Sequence, residues 1–336
     1  MPKRLPKYII WLLFLLLFTH FSFAKTAKAF SLRLELYTDQ EVYDVGRNIT
    51  IYGTLNLDEA PVTDGLIAIQ INEPDETLWL IRSLPTGTNA TTKKWSLEVI
   101  DVTPTPSSSL NRGDMLGIRA TIRNNDLVDR QTLLAVSLVH ETGIPLKAEI
   151  IANITVQANK TQTYWFSNVL TIPNDAPIGV ANVYLSLISN LPAEGGWSWG
   201  LDGVTTITIG SSSKQSKVEY EEGVFVMNVR TKNMYAKLGN YTVHASTLYI
   251  KPPYVYARAR ASVVFKVLLI GDITGPGGQP DGKVDIRDVS LVAYSFGSYP
   301  GHPKWNPIAD LNGDNKVNIL DISIVASDYG KIGILP

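Results

Sequence analysis

Near its C-terminus the chain contains the stretch Asp310-Leu-Asn-Gly-Asp-Asn-Lys-Val-Asn-Ile-Leu-Asp321, which sets oxygen-bearing side chains at a regular spacing. The side-chain oxygens belong to Asp310, Asn312, Asp314, Asn318 and Asp321. Lys316 stands where a loop of this kind supplies only its backbone carbonyl. A hard cation takes roughly six to eight oxygens, and alternate residues of a tightly turning loop can direct theirs to one centre. The stretch therefore predicts a calcium-binding loop with these six residues as ligands.

The pattern occurs a second time upstream. Asp281-Gly-Lys-Val-Asp-Ile-Arg-Asp288 aligns with Asp314-Asn-Lys-Val-Asn-Ile-Leu-Asp321 at an offset of 314 − 281 = 33 residues. Each copy is followed by apolar residues at helical spacing and then by a glycine, Gly297 or Gly330, that is typical of a helix end. We therefore predict two short helices that bury six apolar side chains against each other: Val289, Val292, Phe296, Ile322, Val325 and Tyr329.

This paired loop-helix arrangement, with Asp rather than Glu closing each loop, resembles dockerin domains, in particular those that carry the string found here at Pro280–Asp288. The resemblance covers residues 269–332 and implies a small, all-α, EF-hand-like domain with two Ca²⁺ sites. For the second loop it implies the ligands named above. For the first loop it implies Asp281, the Lys283 carbonyl, Asp285 and Asp288, with Asp272 and Thr274 supplying the opening of the loop.

The first loop departs from the dockerin pattern in length. Asp272 and Asp281 are nine residues apart, whereas Asp310 and Asp314 are four apart, and Gly275–Pro280 fills the difference. Dockerins dock onto cohesin modules, so the resemblance implies a cohesin-like protein partner. The helix starts carry Ile286-Arg287 and Ile319-Leu320 instead of the small hydroxyl residues found there in many cohesin-reading dockerins. The identity of the partner therefore stays open.

The composition limits the number of modules, the classes of partner and the sources of stability. A chain of 336 residues is long enough for about two to four modules. Thirty Lys and Arg balance 31 Asp and Glu without a basic stripe, which argues against nucleic acid or an anionic bilayer as a partner. No cysteine is present, so no disulfide stabilises the chain, and its stability depends on adequate cores and on metal sites.

Residues 1–29 predict an export signal. Lys3, Arg4 and Lys7 precede an apolar run at Tyr8–Phe18, and Ala27-Lys-Ala29 offers a small-x-small cleavage site. An uncleaved anchor is the alternative, because the apolar stretch continues to Ala24, and it would be the only contact with a membrane. Both alternatives place the remainder outside the cell or on its surface. Five N-glycosylation sequons agree with this address: Asn48, Asn89, Asn153, Asn159 and Asn240.

Between the leader and the loops, short alternating apolar runs separated by turn residues predict β-strands. In residues 30–96 the segments Thr38–Gly46 and Pro61–Gln70 resemble the opening of a macroglobulin-type Ig-like domain. In residues 97–210 the segments Arg112–Ala120 and Arg123–Asn125 resemble CARDB-class Ig-like adhesion modules. The predicted fold class is therefore mainly β, with Ig-like β-sandwich modules followed by the dockerin-like domain.

The β segment at 211–268 has two interpretations. It begins with a polar linker at 211–217, and only three strands are predicted after it, which is few for a sandwich. Either residues 218–268 complete the first sandwich, with the second block inserted between its halves, or they form a small third domain. Lys237–Val243 matches a late strand of macroglobulin-like folds and favours completion.

No pattern of catalytic residues is present in the sequence. The four histidines stand apart from other metal-type residues, and no nucleophile elbow, paired-histidine motif or phosphate loop occurs. We therefore predict a non-catalytic, exported surface protein with adhesive or stalk modules and a calcium-dependent docking module. The alternative is an accessory glycan-binding subunit of a polysaccharide-degrading assembly. In that case Trp197 and Trp199 would offer a flat stacking surface, whereas the competing interpretation makes these indoles plugs at a hairpin end.

Overall fold

The computed structural model describes residues 30–210, 222–251 and 255–335. The predicted export signal at 1–29 and the polar linker at 211–217 lie outside the described residues. The mainly β class is confirmed, with several sheets. The first strands are β1 Leu32–Thr38, β2 Val42–Asp44, β3 Asn48–Leu57, β4 Ala60–Pro61, β5 Leu66–Asn72 and β6 Leu78–Pro85. They are followed by β7 Leu97–Thr105, β8 Ser109–Leu110, β9 Met115–Asn124, β10 Arg130–His140, β11 Pro145–Val156, β12 Thr161–Thr171, β13 Gly179–Ile188 and β14 Gly203–Ile209.

The remaining strands are β15 Val224–Arg230, β16 Ala236–Lys237, β17 Gly239–Lys251, β18 Val255–Leu268 and β19 Gly333–Ile334. The helices are α1 Thr88–Thr92, α2 Ile286–Ser295 and α3 Ile319–Asp328, with 3-10 turns at Pro192–Glu194 and Pro307–Ala309. No helix in the described part of the chain has the length and apolar character needed to cross a membrane.

Two sheets form the first body of the molecule. One has the order β1-β3-β15 with β4 beside β3, and the other has the order β2-β18-β17-β5-β6. Their inner faces share one core, to which Ile51 and Phe225 contribute from the first sheet and Ile69 and Phe265 from the second. Strand β15 pairs with β3, and β17 pairs with β5. Strands β15, β17 and β18 thus lie in the same sheets as the strands of residues 32–85.

A second body is built from residues 97–209. One sheet has the order β12-β9-β7 and the other β11-β10-β13-β14-β8. Alternate residues of the strands point inward, as the period of two requires. Ile118 and Ile122 of β9 meet Val136 and Leu185 of the facing sheet in a separate core.

The two bodies meet along β5 and β6 on one side and β10 and β13 on the other. Four fully buried apolar residues join there: Ala68, Ile81, Ala135 and Ile188. Ser137 of β10 acts as a cross-strand partner for Ile81, since its Oγ accepts from the Ile81 N–H at 2.9 Å and donates to the Ile81 carbonyl at 2.8 Å. Every residue of β5 is buried, because one face of the strand lines the first core and the other faces the second body.

A buried ion pair fastens this junction. The carboxylate of Asp202 accepts from Arg82 Nε at 2.7 Å, from the Ser83 N–H at 3.1 Å and from Ser186 Oγ at 2.7 Å. The guanidinium of Arg82 stacks on the ring of Tyr184, 3.4 Å from its centroid. Asp202 is almost fully buried, and these partners compensate for its removal from water.

The C-terminal helices rest on the first body. Val292 of α2 and Val325 of α3 are fully buried and belong to the same continuous core as Phe265 and Leu269. Beyond α3, β19 pairs in parallel with β16. The predicted packing between the helices was wrong for two residues, because Phe296 and Tyr329 are 52% and 58% exposed. These two lie at the helix C-caps, outside the narrow face that α2 and α3 present to the core.

Lys331 anchors this C-terminal segment to β2. Its Nζ lies 2.6 Å from Asp328 Oδ1 and 3.2 Å from Asp44 Oδ2, and both acids are largely buried. Burial raises the pKa of Asp44, and the charge of Asp328 raises it further. Burial lowers the pKa of Lys331, but hydrogen bonding to Asp328 and the charge of Asp44 raise it overall. Lys331 therefore stays protonated between the two carboxylates.

Candidate metal centre

Two aspartates fold the second loop by accepting backbone N–H groups. Asp310 holds the turn, since its Oδ1 accepts from Asp314 at 3.2 Å and its Oδ2 from Asn315 at 2.8 Å. Asp321 is fully buried and ties the end of the loop to its beginning. Its carboxylate accepts from Leu311 at 2.8 Å, Asn312 at 3.3 Å and Asn318 at 2.8 Å.

All five of these hydrogen bonds recur in the first loop. Asp272 accepts from the N–H groups of Asp281 at 3.1 Å and Gly282 at 2.8 Å. Asp288 is fully buried and accepts from Ile273 at 2.9 Å, Thr274 at 2.9 Å and Asp285 at 2.8 Å. Asp272 thus takes the place of Asp310, and Thr274 takes that of Asn312, although the first loop is longer.

The extra length of the first loop forms a turn of its own. The Gly278 N–H donates to the Gly275 carbonyl at 2.9 Å, and Gly277 and Gly278 both have positive φ, 96° and 80°. The extra turn therefore brings the backbone of Asp281 back within hydrogen-bond distance of the Asp272 carboxylate. At the equivalent turn positions, Gly282 has φ 81° and Asn315 has φ 63°. Asn is one of the few residues with a Cβ that adopt this left-handed conformation at modest cost.

The predicted ligands also start the helices. The side chains of Asp285 and Asn318 cap α2 and α3 by accepting from the N–H groups of Arg287 at 2.7 Å and Leu320 at 2.8 Å. In return, the third helical residues, Asp288 and Asp321, accept from the N–H groups of the caps, which completes a capping box in each copy. Loop closure and helix initiation thus use the same side chains.

Three predicted ligands of the second loop converge. Asn312 Nδ2 and Asn318 Nδ2 lie 3.2 Å and 3.4 Å from Asp314 Oδ2, while the Lys316 N–H donates to Asp314 Oδ1. Among the described residues no group of three or more His, Cys, Asp or Glu could hold a metal ion. The carboxylates instead accept backbone N–H groups, and the side chains that hydrogen-bond to the Asp314 carboxylate are amides.

The donor chemistry of both loops nevertheless fits a hard cation. Every predicted side-chain donor is oxygen, from carboxylates, amides or the Thr274 hydroxyl. In the first loop, Asp281 Oδ1 is buried and accepts no hydrogen bond from the described residues. A buried carboxylate oxygen without a partner is costly, and coordination would satisfy it. Burial also raises the pKa of Asp272, although backbone N–H groups act in the opposite direction.

Comparisons with known proteins give no family for this chain. No protein-family model matches it, and no curated protein matches it. Among solved structures, a cycloisomaltooligosaccharide glucanotransferase from Paenibacillus sp. is 17% identical over 34% of this chain and 14% of its own, with a TM-score of 0.27. A β-glucosidase from Listeria innocua is 18% identical over 36% and 17%, with a TM-score of 0.24. A cohesin-X-dockerin complex from Acetivibrio cellulolyticus is 26% identical over 33% and 70%, with a TM-score of 0.18. Neither a fold nor a function follows from similarity at these TM-scores.

An arginine side chain lies beside the acids of the first loop, and the second loop has a leucine at the equivalent position. Arg287 Nη1 lies 3.5 Å from Asp281 Oδ2 and 3.7 Å from Asp285 Oδ2, and both acids are predicted ligands. The second copy has Leu320 at this position. Arg287 therefore offsets part of the repulsion between the acids and would compete for them with a cation at the predicted site.

We expect Arg287→Leu to raise the Ca²⁺ affinity of the first loop about threefold, because half-exposed ion pairs contribute up to about 1 kcal/mol. Isothermal titration calorimetry of the full chain with Ca²⁺ measures this affinity. Lys304→Leu is the matched control, since Lys304 lies over the Tyr294 ring in the same region. An equal gain in both variants would mean that only net charge changed, and it would refute a specific role for Arg287.

The tryptophan pair is arranged differently from the prediction. The rings of Trp197 and Trp199 lie 5.4 Å apart at 76°, edge to face, so together they do not form the flat surface that the glycan-binding alternative assumed. The segment pairs with the end of β13, and Gly196 and Gly200 pass so close to neighbouring backbone that a Cβ would lie 1.8 Å and 2.0 Å from carbonyl oxygens. Glycine is therefore required at both positions by close backbone approach.

The five sequon asparagines share one property, exposure to solvent. They are Asn48, Asn89, Asn153, Asn159 and Asn240. A glycan at any of them would extend away from the protein, so glycosylation stays a prediction that the surface permits.

Proposed function

We propose that this chain is an exported, non-catalytic surface protein. In this proposal its two bodies are Ig-like β-sandwiches, macroglobulin-type and CARDB-like, that form an adhesive or stalk region. The paired loops and helices form a dockerin-like module that docks onto a protein partner when calcium is bound. The observation that carries the proposal is the recurrence of the same five N–H to carboxylate hydrogen bonds in two loops of unequal length.

Each loop would hold one Ca²⁺ ion. The second site would use Asp310, Asn312, Asp314, the Lys316 carbonyl, Asn318 and Asp321, and the first would use Asp272, Thr274, Asp281, the Lys283 carbonyl, Asp285 and Asp288. Bound calcium supplies the positive charge that offsets repulsion among the acids of each loop. Because Asp285 and Asn318 also cap the helices, ordering the ligands orders the helix starts.

Both repeats present apolar side chains to solvent at equivalent positions. Ile286 and Ile319, the first residues of α2 and α3, are each 63% exposed, and Leu320 is exposed beside Ile319. Phe296 and Tyr329, at the helix C-caps, are also offset by 33 residues. Repeated exposed apolar groups favour a contact surface for another protein. A cohesin-like partner is the class that the resemblance implies, and the apolar helix starts favour one that offers apolar contacts.

The full chain, immobilised in calcium, is expected to retain a partner from the extracellular fraction and to release it in EDTA. Ile319→Ser with Leu320→Ser should lower retention at least tenfold, because two exposed apolar side chains leave the contact. Leu127→Ser with Val128→Ser is the matched control, an exposed apolar pair on the second body. Equal retention by the first double variant, or in EDTA, would contradict the proposal.

A further inference from the structure

A cleft of about 560 Å³ lies where the two bodies meet. Its walls come from distant parts of the sequence, with Asp64 and Tyr249 from the first body, Trp95 from the segment that joins the bodies, and Asn125 and Trp197 from the second. This volume is within the range of small-molecule sites, roughly 300 to 1,000 Å³. The cleft is distinct from the calcium loops, because none of its lining residues comes from residues 269–335.

Four aromatic rings line the cleft, and hydrogen bonds to backbone carbonyls hold two of them. Trp95, Trp197, Trp199 and Tyr249 all line it, and all are partly exposed. The indole N–H groups of Trp95 and Trp199 donate to the carbonyls of Ala90 at 3.0 Å and Gln131 at 3.1 Å. Trp197 Nε1 is buried and has no hydrogen-bond partner among the described residues. Within the part of the chain that the structure describes, the indole N–H of Trp197 is therefore unpaired, whereas those of Trp95 and Trp199 are paired.

Each indole already has a cation over its ring. Arg258 Cζ lies 4.2 Å from the Trp197 centroid, and Arg130 Cζ lies 4.8 Å from that of Trp199. Lys93 Nζ lies 4.9 Å from the Trp95 centroid. These cations would repel a positively charged ligand and would compete with it for the rings. The arrangement therefore favours a neutral or acidic ligand over a cationic one.

The acids and the phenol of the cleft point to hydrogen bonding rather than charge recognition. Asp64 pairs with Lys93 at 2.9 Å, and Asp126 pairs with Arg130 at 2.5 Å. Burial and the nearby Asp64, to which the hydroxyl donates a hydrogen bond, raise the pKa of Tyr249 to about 12, so the phenol stays uncharged near neutral pH and its oxygen can still accept. Aromatic walls with neutral hydrogen-bonding groups suit a ring with an apolar face and a rim of hydroxyls.

We infer that this cleft binds a saccharide, with a pyranose ring packed against Trp197 and with its hydroxyls bonded to Tyr249 and Asn125. This site goes beyond the docking function and does not depend on it. Because the lining excludes the calcium loops, saccharide binding should be the same in calcium and in EDTA. Trp199 packs against the core of the second body, so Trp197 is the better residue for a test of binding.

The full chain should be titrated, with tryptophan fluorescence as the readout, against soluble β-glucan, α-glucan, xylan, mannan and galactan as neutral arms and polygalacturonate as the acidic arm. At least one arm should bind. Trp197→Ala should weaken that binding about tenfold, as expected for loss of an aromatic contact. Tyr249→Phe, which keeps the ring, should weaken it about threefold through loss of one hydrogen bond.

Trp165→Ala is the matched control, because this indole on the second body is 69% exposed and also has an arginine, Arg119, over its ring at 5.5 Å. Its affinity should equal that of the unmodified chain, and melting curves of all three variants should confirm folding. No binding in any arm overturns the inference. So does equal binding by folded Trp197→Ala and Tyr249→Phe variants, or an equal loss in Trp165→Ala.

Discussion

Removing calcium from the full chain is expected to lower the midpoint of its thermal unfolding by about 10 °C. A ligand present at about 100 times its Kd stabilises the folded state by about 2.7 kcal/mol per site, and two sites give about twice that. For a chain of this size, 1 kcal/mol corresponds to about 2 °C. Differential scanning calorimetry in calcium and in EDTA measures the shift.

The first body should melt together with the calcium loops. Val292 and Val325 of the two helices belong to the same core as Phe265 of β18, and Lys331 joins the C-terminal segment to Asp44 of β2. Loss of helix order would therefore expose part of the core of the first body. Circular dichroism at 222 nm and tryptophan fluorescence should report one coincident transition for these parts of the chain.

The variant Asp314→Asn should remove about half of the calcium effect, because it takes one formal charge from the second loop and leaves the first loop unchanged. Asp101→Asn is the matched control, the same substitution at an exposed aspartate of β7 paired with Arg119 at 3.2 Å. The Asp101→Asn variant should keep the full difference of about 10 °C between its unfolding midpoints in calcium and in EDTA, as calculated above for two sites. Identical midpoints in calcium and EDTA for the unmodified chain would rule out both metal sites.

Asp202→Ala is expected to destabilise the junction between the two bodies by about 3 to 5 kcal/mol, the usual cost of removing one partner from a buried ion pair. The substitution leaves Arg82, stacked on Tyr184, without its carboxylate, and it deprives the Ser83 N–H and the Ser186 hydroxyl of an acceptor. Chemical denaturation of the full chain measures the change. Hydrogen exchange at β6 and β13 should rise first, because these strands carry the partners of Asp202.

Two further variants separate the ion pair from a general packing defect. Asp101→Ala breaks the exposed pair with Arg119 and should cost less than about 1 kcal/mol. Arg82→Met combined with Asp202→Ala should recover part of the loss, because no unpaired charge is then buried. If Asp202→Ala is no more destabilising than Asp101→Ala, the buried pair does not hold the junction.

Features that depend on neighbours in the chain could be predicted from the sequence. The alternating apolar runs predicted strands between the leader and the loops, and β9 and β10 are among those observed, because the period of two depends on local geometry. The 33-residue repeat predicted both loop-helix copies, and Gly297 and Gly330 follow the helix C-caps with φ 79° and 82°. The assignment of Asp272 to the opening of the longer first loop rested on resemblance, and its hydrogen bonds match those of Asp310.

Features that depend on contacts between residues far apart in the sequence could not be predicted from it. The pattern at 218–268 left two domain arrangements open, and the pairing of β17 with β5 joins residues 170 or more positions apart. The sequence around Asp202 did not indicate its buried ion pair, because the partners of this residue lie on β6 and β13. The cleft likewise required Tyr249 to approach Trp197.

By itself, then, the sequence determined where strands alternate, where the two loop-helix copies lie and which loop residues carry side-chain oxygens. Only the tertiary structure decided which strands share a sheet, that the helices pack on the first body with Phe296 and Tyr329 left exposed, and that the indoles line a cleft. The reason is that periodicity and turn chemistry act over a few residues, whereas burial depends on which surfaces meet once the whole chain has folded.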